Sequence, residues 1–228
     1  MNILEQTIYN FVRPNVKFLN RQEYIIARSM HTGRKRNYDI LDADYIRTSE
    51  LELCAYEINT KKVKGEIAEL GVYQGKFARL MNMAFPDRKL YLFDTFEGFD
   101  ERDIKAQKME LPSCDAKAGD LKGYAAERVL ERMPIKKNVI IKKGWFPQSL
   151  GGLEEKFCFV SLDADLYNPI YEGLKYFYPR LSKGGYIFVH DYNIKDEGAK
   201  RAVMQFSEEA NAPYFPMTDS DGTAVFLK

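Results

Sequence analysis

The sequence has few of the residues that build disulfide frameworks and zinc sites. Its 228 residues include only three cysteines and two histidines. Cys54, Cys114 and Cys158 are widely spaced and form no C-x-x-C pair, so neither a disulfide-stapled fold nor a zinc ribbon is predicted. Reduced thiols are expected, as in a cytoplasmic protein.

An excess of one charge and a long apolar run are missing as well. The 34 Lys and Arg residues balance 33 Asp and Glu residues, which disfavours nucleic acid and anionic membranes as partners. Residues 1–20 carry Glu5 and Arg13 among scattered apolar side chains, so we expect neither a signal peptide nor a membrane span there. We therefore expect a cytoplasmic protein that uses no membrane.

The chain does contain regular strand and helix signals from about residue 65 onward. Strands are predicted near 66–70, 90–93, 138–142, 157–162 and 186–189, and helices near 76–84, 121–132, 168–181 and 197–211. This alternation is typical of an α/β fold with a mostly parallel sheet covered on both faces. Two apolar runs around the turn residues 219–222 add an antiparallel edge, which makes seven strands in all.

The first 60 residues have a different character. They are rich in helix formers and aromatic residues, and the longest helical periodicity covers 42–58. We predict a helical N-terminal cap over 1–60 and one α/β domain over 61–228. The apolar residues Ile8, Phe11 and Phe18 predict that the first region mediates formation of a homo-oligomer.

Two stretches lack clear periodicity. The basic stretch 31–37 is interpreted either as a solvated turn or as a flap that touches an anionic substrate group. The polar stretch 95–119 is long for a plain connection in a compact domain, and it predicts either a lid or a disordered insertion.

A glycine turn follows the first predicted strand, in G-E-I-A-E-L-G-V-Y-Q-G-K-F-A (65–78). Gly71 and Gly75 lie where the backbone of an open α/β sheet approaches a nucleotide-like ligand. Glu69 would repel a pyrophosphate but suits an amino group, and Asp94 is placed to accept hydrogen bonds from ribose hydroxyls. A ligand with a ribose, an amino acid and no phosphate is S-adenosylmethionine (SAM); another nucleotide such as NAD, or a purely structural turn, are the alternatives.

Two aspartate-bearing segments each follow an apolar strand, F-V-S-L-D-A-D-L-Y (159–167) and G-G-Y-I-F-V-H-D-Y-N (184–193). Parallel strands end at one edge, so Asp163, Asp165, His190 and Asp191 are predicted to converge as a cation site. Asp165 has the alternative role of capping the next helix, and His190 is a buried histidine, a metal ligand or a general base. His190 and Asp191 share a ligand only if the strand has already turned, because successive strand residues face opposite sides.

Four motifs carry a resemblance to a known family: F-D-T-F-E-G-F (93–99), K-G-W-F-P-Q-S-L (143–150), L-D-A-D-L-Y (162–167) and G-G-Y-I-F-V-H-D-Y-N (184–193). In this order they resemble the macrocin O-methyltransferase (TylF-type) family of SAM-dependent enzymes, from about residue 45 to the C-terminus. The resemblance implies a Rossmann-like class I methyltransferase domain over 61–228. It also implies Mg²⁺-dependent methylation of a sugar hydroxyl on a glycoconjugate, a polysaccharide precursor or a glycosylated natural product.

The resemblance assigns the donor-binding residues. Glu69, Gly71 and Gly75 are expected along the methionine part of SAM, and Asp94 at its ribose. Trp145 is expected near the adenine, unless it is a core aromatic residue.

The resemblance also assigns the metal ligands and the base. Asp163 is expected to bind the metal and is a candidate base, as is His190. The remaining ligands are expected from His190 and Asp191, the pair before Tyr192. Antibiotic-tailoring members resemble D-D-Y at this place, so His190 is a departure from their pattern.

Two alternatives stay open at this point. One is an O-methyltransferase that uses a catechol or another phenolic acceptor. The other is a SAM-binding module without turnover, against which the retained Asp163, Asp165 and Asp191 argue because a binding module needs no metal cluster.

Overall fold

The computed structural model describes residues 44–194 and 198–228, together with Thr7. The chain divides into two compact units, Met1–Gly33 and Arg34–Lys228, and the elements described below belong to the second. The basic stretch 31–37 and the apolar residues Ile8, Phe11 and Phe18 lie outside the described residues, so the predictions made for them stay predictions.

Within the described ranges, seven strands form one sheet: β1 (Glu66–Leu70), β2 (Leu90–Asp94), β3 (Val139–Lys143), β4 (Phe157–Leu162), β5 (Leu181–Val189), β6 (Tyr214–Met217) and β7 (Thr223–Leu227). Six α-helices accompany it: α1 (Tyr45–Thr60), α2 (Lys76–Ala84), α3 (Glu101–Glu110), α4 (Ala126–Arg132), α5 (Tyr167–Arg180) and α6 (Gly198–Ala210). No helix in these ranges combines the length and the apolar character that crossing a membrane requires.

The strand order across the sheet is β3-β2-β1-β4-β5-β7-β6. The pairs among β1 to β5 are parallel, whereas β7 pairs antiparallel with both β5 and β6. The predicted fold class, a mostly parallel seven-stranded sheet with an antiparallel C-terminal edge, is confirmed. The order reverses between β1 and β4, and open α/β sheets bind their ligands at such a reversal.

The sheet is buried because helices cover both of its faces. All six residues of β4 are buried, which is the pattern of a central strand with a helix layer on each side. One core cluster joins the sheet to α1, α2 and Val129 of α4, and the other joins it to α5 and α6. Leu51 and Ile58 of α1 are fully buried in the first cluster, so this helix is part of the domain core. The helical cap predicted over residues 1–60 as a whole stays a prediction.

The polar stretch 95–119 contains a helix, so its interpretation as a disordered insertion is wrong. Helix α3 is capped at its N-terminus by Asp100, which accepts a hydrogen bond from the Arg102 backbone N–H. Its buried side chains are Asp103, Ile104 and Gln107. Because two of these three are polar, the helix shows no apolar periodicity in the sequence. The lid interpretation stays a prediction.

Two predicted boundaries were wrong by several residues. Helix α4 begins at Ala126 rather than at residue 121, because Leu121 has a left-handed backbone and a side chain at Gly123 would overlap the backbone of the β1–α2 turn. Strand β5 begins at Leu181 rather than at residue 186, and its pairing with β4 contains a register shift between Phe157 and Phe159.

Candidate active site

The β1–α2 turn brings the ends of two parallel strands together. Gly71 has a φ of 84°, and a Cβ atom there would overlap the backbone carbonyl oxygen of Asp163 at the end of β4. The Gly71 N–H donates to the Phe93 carbonyl oxygen of β2 at 2.9 Å. Gly75 has a φ of 70° and precedes α2. A residue with a side chain at 71 would force β1 and β4 apart, so this glycine holds the site together.

Asp94, at the end of β2, fixes the same turn. Its Oδ2 atom accepts hydrogen bonds from the backbone N–H groups of Val72 (2.6 Å) and Tyr73 (3.0 Å). Its Oδ1 atom accepts one from Phe96 N–H at 2.6 Å. A carboxylate offers about four acceptor positions, so the Asp94 carboxylate keeps about one for a ligand while it holds the turn in place.

A cavity lies beside this turn, at the carboxyl edge of the sheet. Gly71, Asp94, Trp145, Asp163 and Asp165 are among its lining residues. The structure thus brings the predicted ribose residue, the predicted adenine neighbour and the predicted metal ligand of β4 around one space.

Glu69 and Gly75, the other predicted donor residues, are not among the residues that line this cavity. The Glu69 side chain is buried, and its Oε2 atom has no hydrogen-bond partner within the described part of the chain. Burial, together with the negative charge of Asp163, raises the pKa of Glu69 well above its usual value, although Arg47 opposes this. The role of these two residues toward a ligand stays a prediction.

Trp145 is half-buried and belongs to the cavity wall rather than to the apolar core. Its indole N–H donates to Asp103 Oδ2 at 2.8 Å, and the Arg102 guanidinium lies 3.9 Å from the centroid of the ring. Asp103 also accepts a hydrogen bond from the Asn168 amide at 2.6 Å. The interpretation of Trp145 as a core aromatic residue is wrong, and its neighbour Phe146 has that position instead.

Three potential metal ligands converge at the ends of β4 and β5. The His190 Nδ1 atom is 3.1 Å from Asp163 Oδ1 and 3.0 Å from Asp191 Oδ1. One ligand atom from each residue lies within 4.8 Å of the other two. Strand β5 ends at Val189 and Asp191 has a φ of 58°, so the chain has already turned and both neighbours face the same site.

Arg47 of α1 is a further member of this cluster. Its guanidinium donates to Asp163 Oδ2 at 3.0 Å and to the Ser161 hydroxyl at 3.1 Å, and it lies 3.9 Å from the centroid of the Phe77 ring. Burial alone would raise the pKa of Asp163, but Arg47 and His190 outweigh it and hold that pKa well below its usual range. Asp163 is therefore a firmly ionised carboxylate.

His190 has the opposite response to the same contacts. Burial alone would lower the pKa of the imidazole, but hydrogen bonds to Asp163 and Asp191 raise the pKa of His190 to about 10. The imidazole is thus a cation when the two carboxylates are its only partners. The two carboxylates therefore favour a positive charge at this position of the site.

Asp165 does not cap the following helix, so that interpretation is wrong. The residue before α5 is Leu166, and the Tyr167 backbone N–H at the start of the helix donates to the Gln107 side-chain oxygen at 3.0 Å. Burial, followed by the negative charges of Asp191 and Asp163, raises the pKa of Asp165 well above its usual value. Asp165 is outside the three-residue ligand group, but it lines the cavity next to that group.

Asp219, in the β6–β7 turn, lies on the far side of the imidazole. Its side chain is fully buried, and its Oδ2 atom is 4.0 Å from His190 Nε2. The Thr223 hydroxyl donates to Oδ2 at 2.6 Å, while Oδ1 has no hydrogen-bond partner in residues 44–194 and 198–228. Arg47, Asp103 and Asp219 are the residues that sequence reasoning missed, although an arginine within the periodic run 42–58 was a signal that could have indicated Arg47.

Comparison with known proteins shows which proteins this chain resembles. The family model of macrocin O-methyltransferase (TylF) matches residues 44–228. A relative from Streptomyces olivaceus, 8-demethyl-8-(2,3-dimethoxy-alpha-L-rhamnosyl)-tetracenomycin-C 4'-O-methyltransferase, is 27% identical over 80% of this chain and 72% of its own length. Mycinamicin III 3''-O-methyltransferase of Micromonospora griseorubida is 26% identical over 91% of this chain and 87% of its own length.

Solved structures share the fold. The O-methyltransferase NovP superposes with a TM-score of 0.66 at 19% identity, covering 97% of this chain and 98% of that chain. The calicheamicin methyltransferase CalS11 superposes with a TM-score of 0.60 at 17% identity, covering 79% of this chain and 78% of that chain. The overall fold of this chain is therefore shared with these two methyltransferases.

Proposed function

Because the chain belongs to the macrocin O-methyltransferase family and is a SAM-dependent O-methyltransferase, we propose that its acceptor is a sugar hydroxyl. The acceptor sugar would be part of a glycoconjugate, a polysaccharide precursor or a glycosylated natural product. The names of two relatives, a 4'-O- and a 3''-O-methyltransferase of glycosylated compounds, support this acceptor class. The observation that carries the proposal is the group of Asp163, His190 and Asp191 beside the cavity.

In this proposal SAM occupies the cavity beside the β1–α2 turn. Asp94 would accept a hydrogen bond from a ribose hydroxyl, and Trp145 would lie near the adenine. Gly71 lets the methionine part approach the backbone, with Glu69 and Gly75 next to it in the same turn. The lining of the cavity by Gly71, Asp94 and Trp145 supports this arrangement.

A divalent cation, Mg²⁺ or a similar ion, fits the group of Asp163, His190 and Asp191. Two carboxylates and one imidazole offer three donor atoms, and Asp163 is held in its ionised form. Such an ion, when bound, supplies Lewis acidity and a template for two neighbouring sugar oxygens. A methyl transfer without such help is slow because a sugar hydroxyl is barely ionised at neutral pH.

The transfer forms a carbon–oxygen bond and breaks the carbon–sulfur bond of the sulfonium, and the hydroxyl proton passes to a protein base. Asp163 and His190 are the base candidates from the sequence. Asp165, which lines the cavity beside the ligand group, is a third candidate. Holding the methyl group and the hydroxyl oxygen in line can lower the activation free energy by about 7 to 11 kcal/mol.

Transfer of a labelled methyl group tests the proposal. Purified protein with labelled SAM and Mg²⁺ is expected to methylate glycosides but not catechols, and both EDTA and Asp163→Ala are expected to reduce the rate by about 100- to 1,000-fold. Asp115→Ala, at an exposed position, is the control and should behave as the wild type. Transfer that withstands both EDTA and Asp163→Ala would contradict the metal; transfer to catechols alone would contradict the sugar acceptor. SAM binding with no transfer to any acceptor would favour a binding module.

A further inference from the structure

The donor atoms around His190 bear on the identity of the cation. We infer that this site selects a first-row transition ion such as Mn²⁺ over Mg²⁺, with His190 Nδ1 as a ligand atom and Asp219 as the partner of the opposite ring nitrogen. The inference rests on the proposed metal-dependent function and deepens it.

The distances identify Nδ1 as the ligating nitrogen. Nδ1 lies 3.1 Å from Asp163 Oδ1 and 3.0 Å from Asp191 Oδ1. Two ligands at right angles, each about 2.1 Å from an octahedral ion, are about 3.0 Å apart. The imidazole nitrogen is therefore already at the separation from both carboxylates that neighbouring ligands of one ion have. Binding requires Nδ1 to release its proton to solvent.

Asp219 lies beside Nε2, the ring nitrogen of His190 that would not bind the ion. A metal-bound histidine usually presents its second N–H group to a carboxylate, a carbonyl or water, which fixes the tautomer and the ring plane. Here the Asp219 carboxylate faces Nε2 at 4.0 Å, and its side chain is fully buried. Thr223 holds one carboxylate oxygen, and the other has no partner among the described residues. A negative charge at this place favours the proton on Nε2 and leaves Nδ1 free for an ion.

The nitrogen donor then decides between ions. Mg²⁺ prefers an all-oxygen octahedral shell, whereas imidazole suits first-row transition ions, whose affinities for mixed nitrogen and oxygen sites rise from Mn²⁺ onward. With Asp163, His190 and Asp191 as ligands, one of the three protein donors is nitrogen. The same site with an aspartate at 190 would offer oxygen only.

Metal binding to the full chain with S-adenosylhomocysteine present tests the inference without any turnover. Titration with Mn²⁺ and Mg²⁺ is expected to give at least about tenfold tighter binding of Mn²⁺, and His190→Asp is expected to remove most of that preference. Asp219→Asn is expected to weaken Mn²⁺ binding by about 10- to 100-fold while the protein stays folded. Thermal unfolding of each variant reports whether it has folded.

Electron spin-echo spectroscopy of the Mn²⁺ complex gives a direct signature of nitrogen ligation. Modulation from a directly bound ¹⁴N is expected in the wild type, to be lost in His190→Asp and retained in His31→Gln, which removes the only other histidine of the sequence. Tight Mn²⁺ binding without this modulation, or equal affinity for both ions, would overturn the inference and leave the proposed function intact. Failure to bind either ion would overturn both.

Discussion

The two halves of the site are built in different ways. The half that is proposed to bind SAM, here called the donor half, consists of Gly71, Asp94 and Trp145 and is held by backbone contacts and by hydrogen bonds within the protein. The half that is proposed to bind the metal and the acceptor, here called the acceptor half, consists of Asp163, His190 and Asp191, and one ligand atom from each of these ionisable side chains lies within 4.8 Å of the other two. The donor half is thus defined by its backbone geometry, whereas the acceptor half depends on the balance of charges among its side chains.

Arg47 shows what the charge balance requires. It is the residue of α1 that compensates the charge of Asp163 at the cavity, and its side chain is 8% exposed, against 23% for Asp163. Buried carboxylates that lose their partner are costly, because the charge can neither be solvated nor easily neutralised. The acceptor half therefore depends on a helix that sequence reasoning assigned to an N-terminal cap.

The largest expected effect comes from breaking that balance. Arg47→Met is expected to lower the free energy of unfolding of the metal-free protein by about 3 to 5 kcal/mol, because the largely buried Asp163 keeps His190 as a partner but loses the guanidinium. Added Mn²⁺ or Mg²⁺ is expected to restore part of the loss, since an ion that binds only the folded state stabilises it. Denaturant unfolding with and without the ion measures both effects.

Arg102→Met is the matched control for this prediction. Arg102 also pairs with a carboxylate and lies 3.9 Å from an aromatic centroid, but its side chain is 57% exposed. An exposed ion pair contributes little to stability because solvent screens it, so the control should lose little and should not respond to metal. Equal losses in both variants would contradict the distinction between the two arginines.

Gly71→Ala is expected to weaken the donor half and the acceptor half together. The new methyl group must share space with the Asp163 backbone and adopt a left-handed conformation, for a cost of about 2 to 4 kcal/mol in unfolding free energy. Because the overlap joins the two halves, both SAM affinity and metal affinity are expected to fall, as calorimetry can measure.

Gly119→Ala is the control that separates the cost of the left-handed backbone from the cost of steric overlap. Gly119 has a φ of 86°, but a Cβ atom there would meet no atom within 4 Å. The expected loss is about 1 to 2 kcal/mol, from the backbone conformation alone. A Gly71 variant no worse than this control would mean that the strand ends separate easily.

Asp94→Asn isolates the donor half. An amide has one acceptor oxygen instead of two, so at least one of the backbone N–H groups of Val72, Tyr73 and Phe96 loses its partner. We expect a loss of about 1 to 3 kcal/mol in stability and weaker SAM binding. Metal affinity measured by titration should stay within about threefold of the wild type, in contrast to Gly71→Ala.

The smallest effect is expected for Trp145→Phe. The substitution keeps an aromatic ring but removes the hydrogen bond to Asp103, which contributes about 0.5 to 1.5 kcal/mol. SAM affinity is expected to fall by about 2- to 10-fold with an unchanged maximal rate of transfer. A fall in the maximal rate at saturating SAM would show that Trp145 also acts on the acceptor half.

Local patterns predicted that Gly71, Asp94 and the group of Asp163, His190 and Asp191 lie at one edge of the sheet, whereas the place of Trp145 was expected only from the family resemblance. Buried strands such as β4 and the glycine turn are encoded within a few neighbouring residues, and the parallel-sheet rule brings their ends to one edge. Arg47 and Asp163 are 116 positions apart, and no local pattern relates them. Helix α3 was not predicted for another reason. Its buried side is largely polar, and its hydrogen-bond partners Trp145 and Asn168 become known only once the fold is known.

The backbone at Asp165 and Asp191 also shapes how this site can diverge. Both residues have a left-handed conformation, with φ values of 57° and 58°, which aspartate, asparagine and glycine tolerate far better than branched residues do. Asparagine and glycine are each one nucleotide change from an aspartate codon. Mutation can thus reach an amide or an empty position here in one step without rebuilding the loop, which gives descendants of this chain easy access to altered acceptor chemistry on an unchanged scaffold.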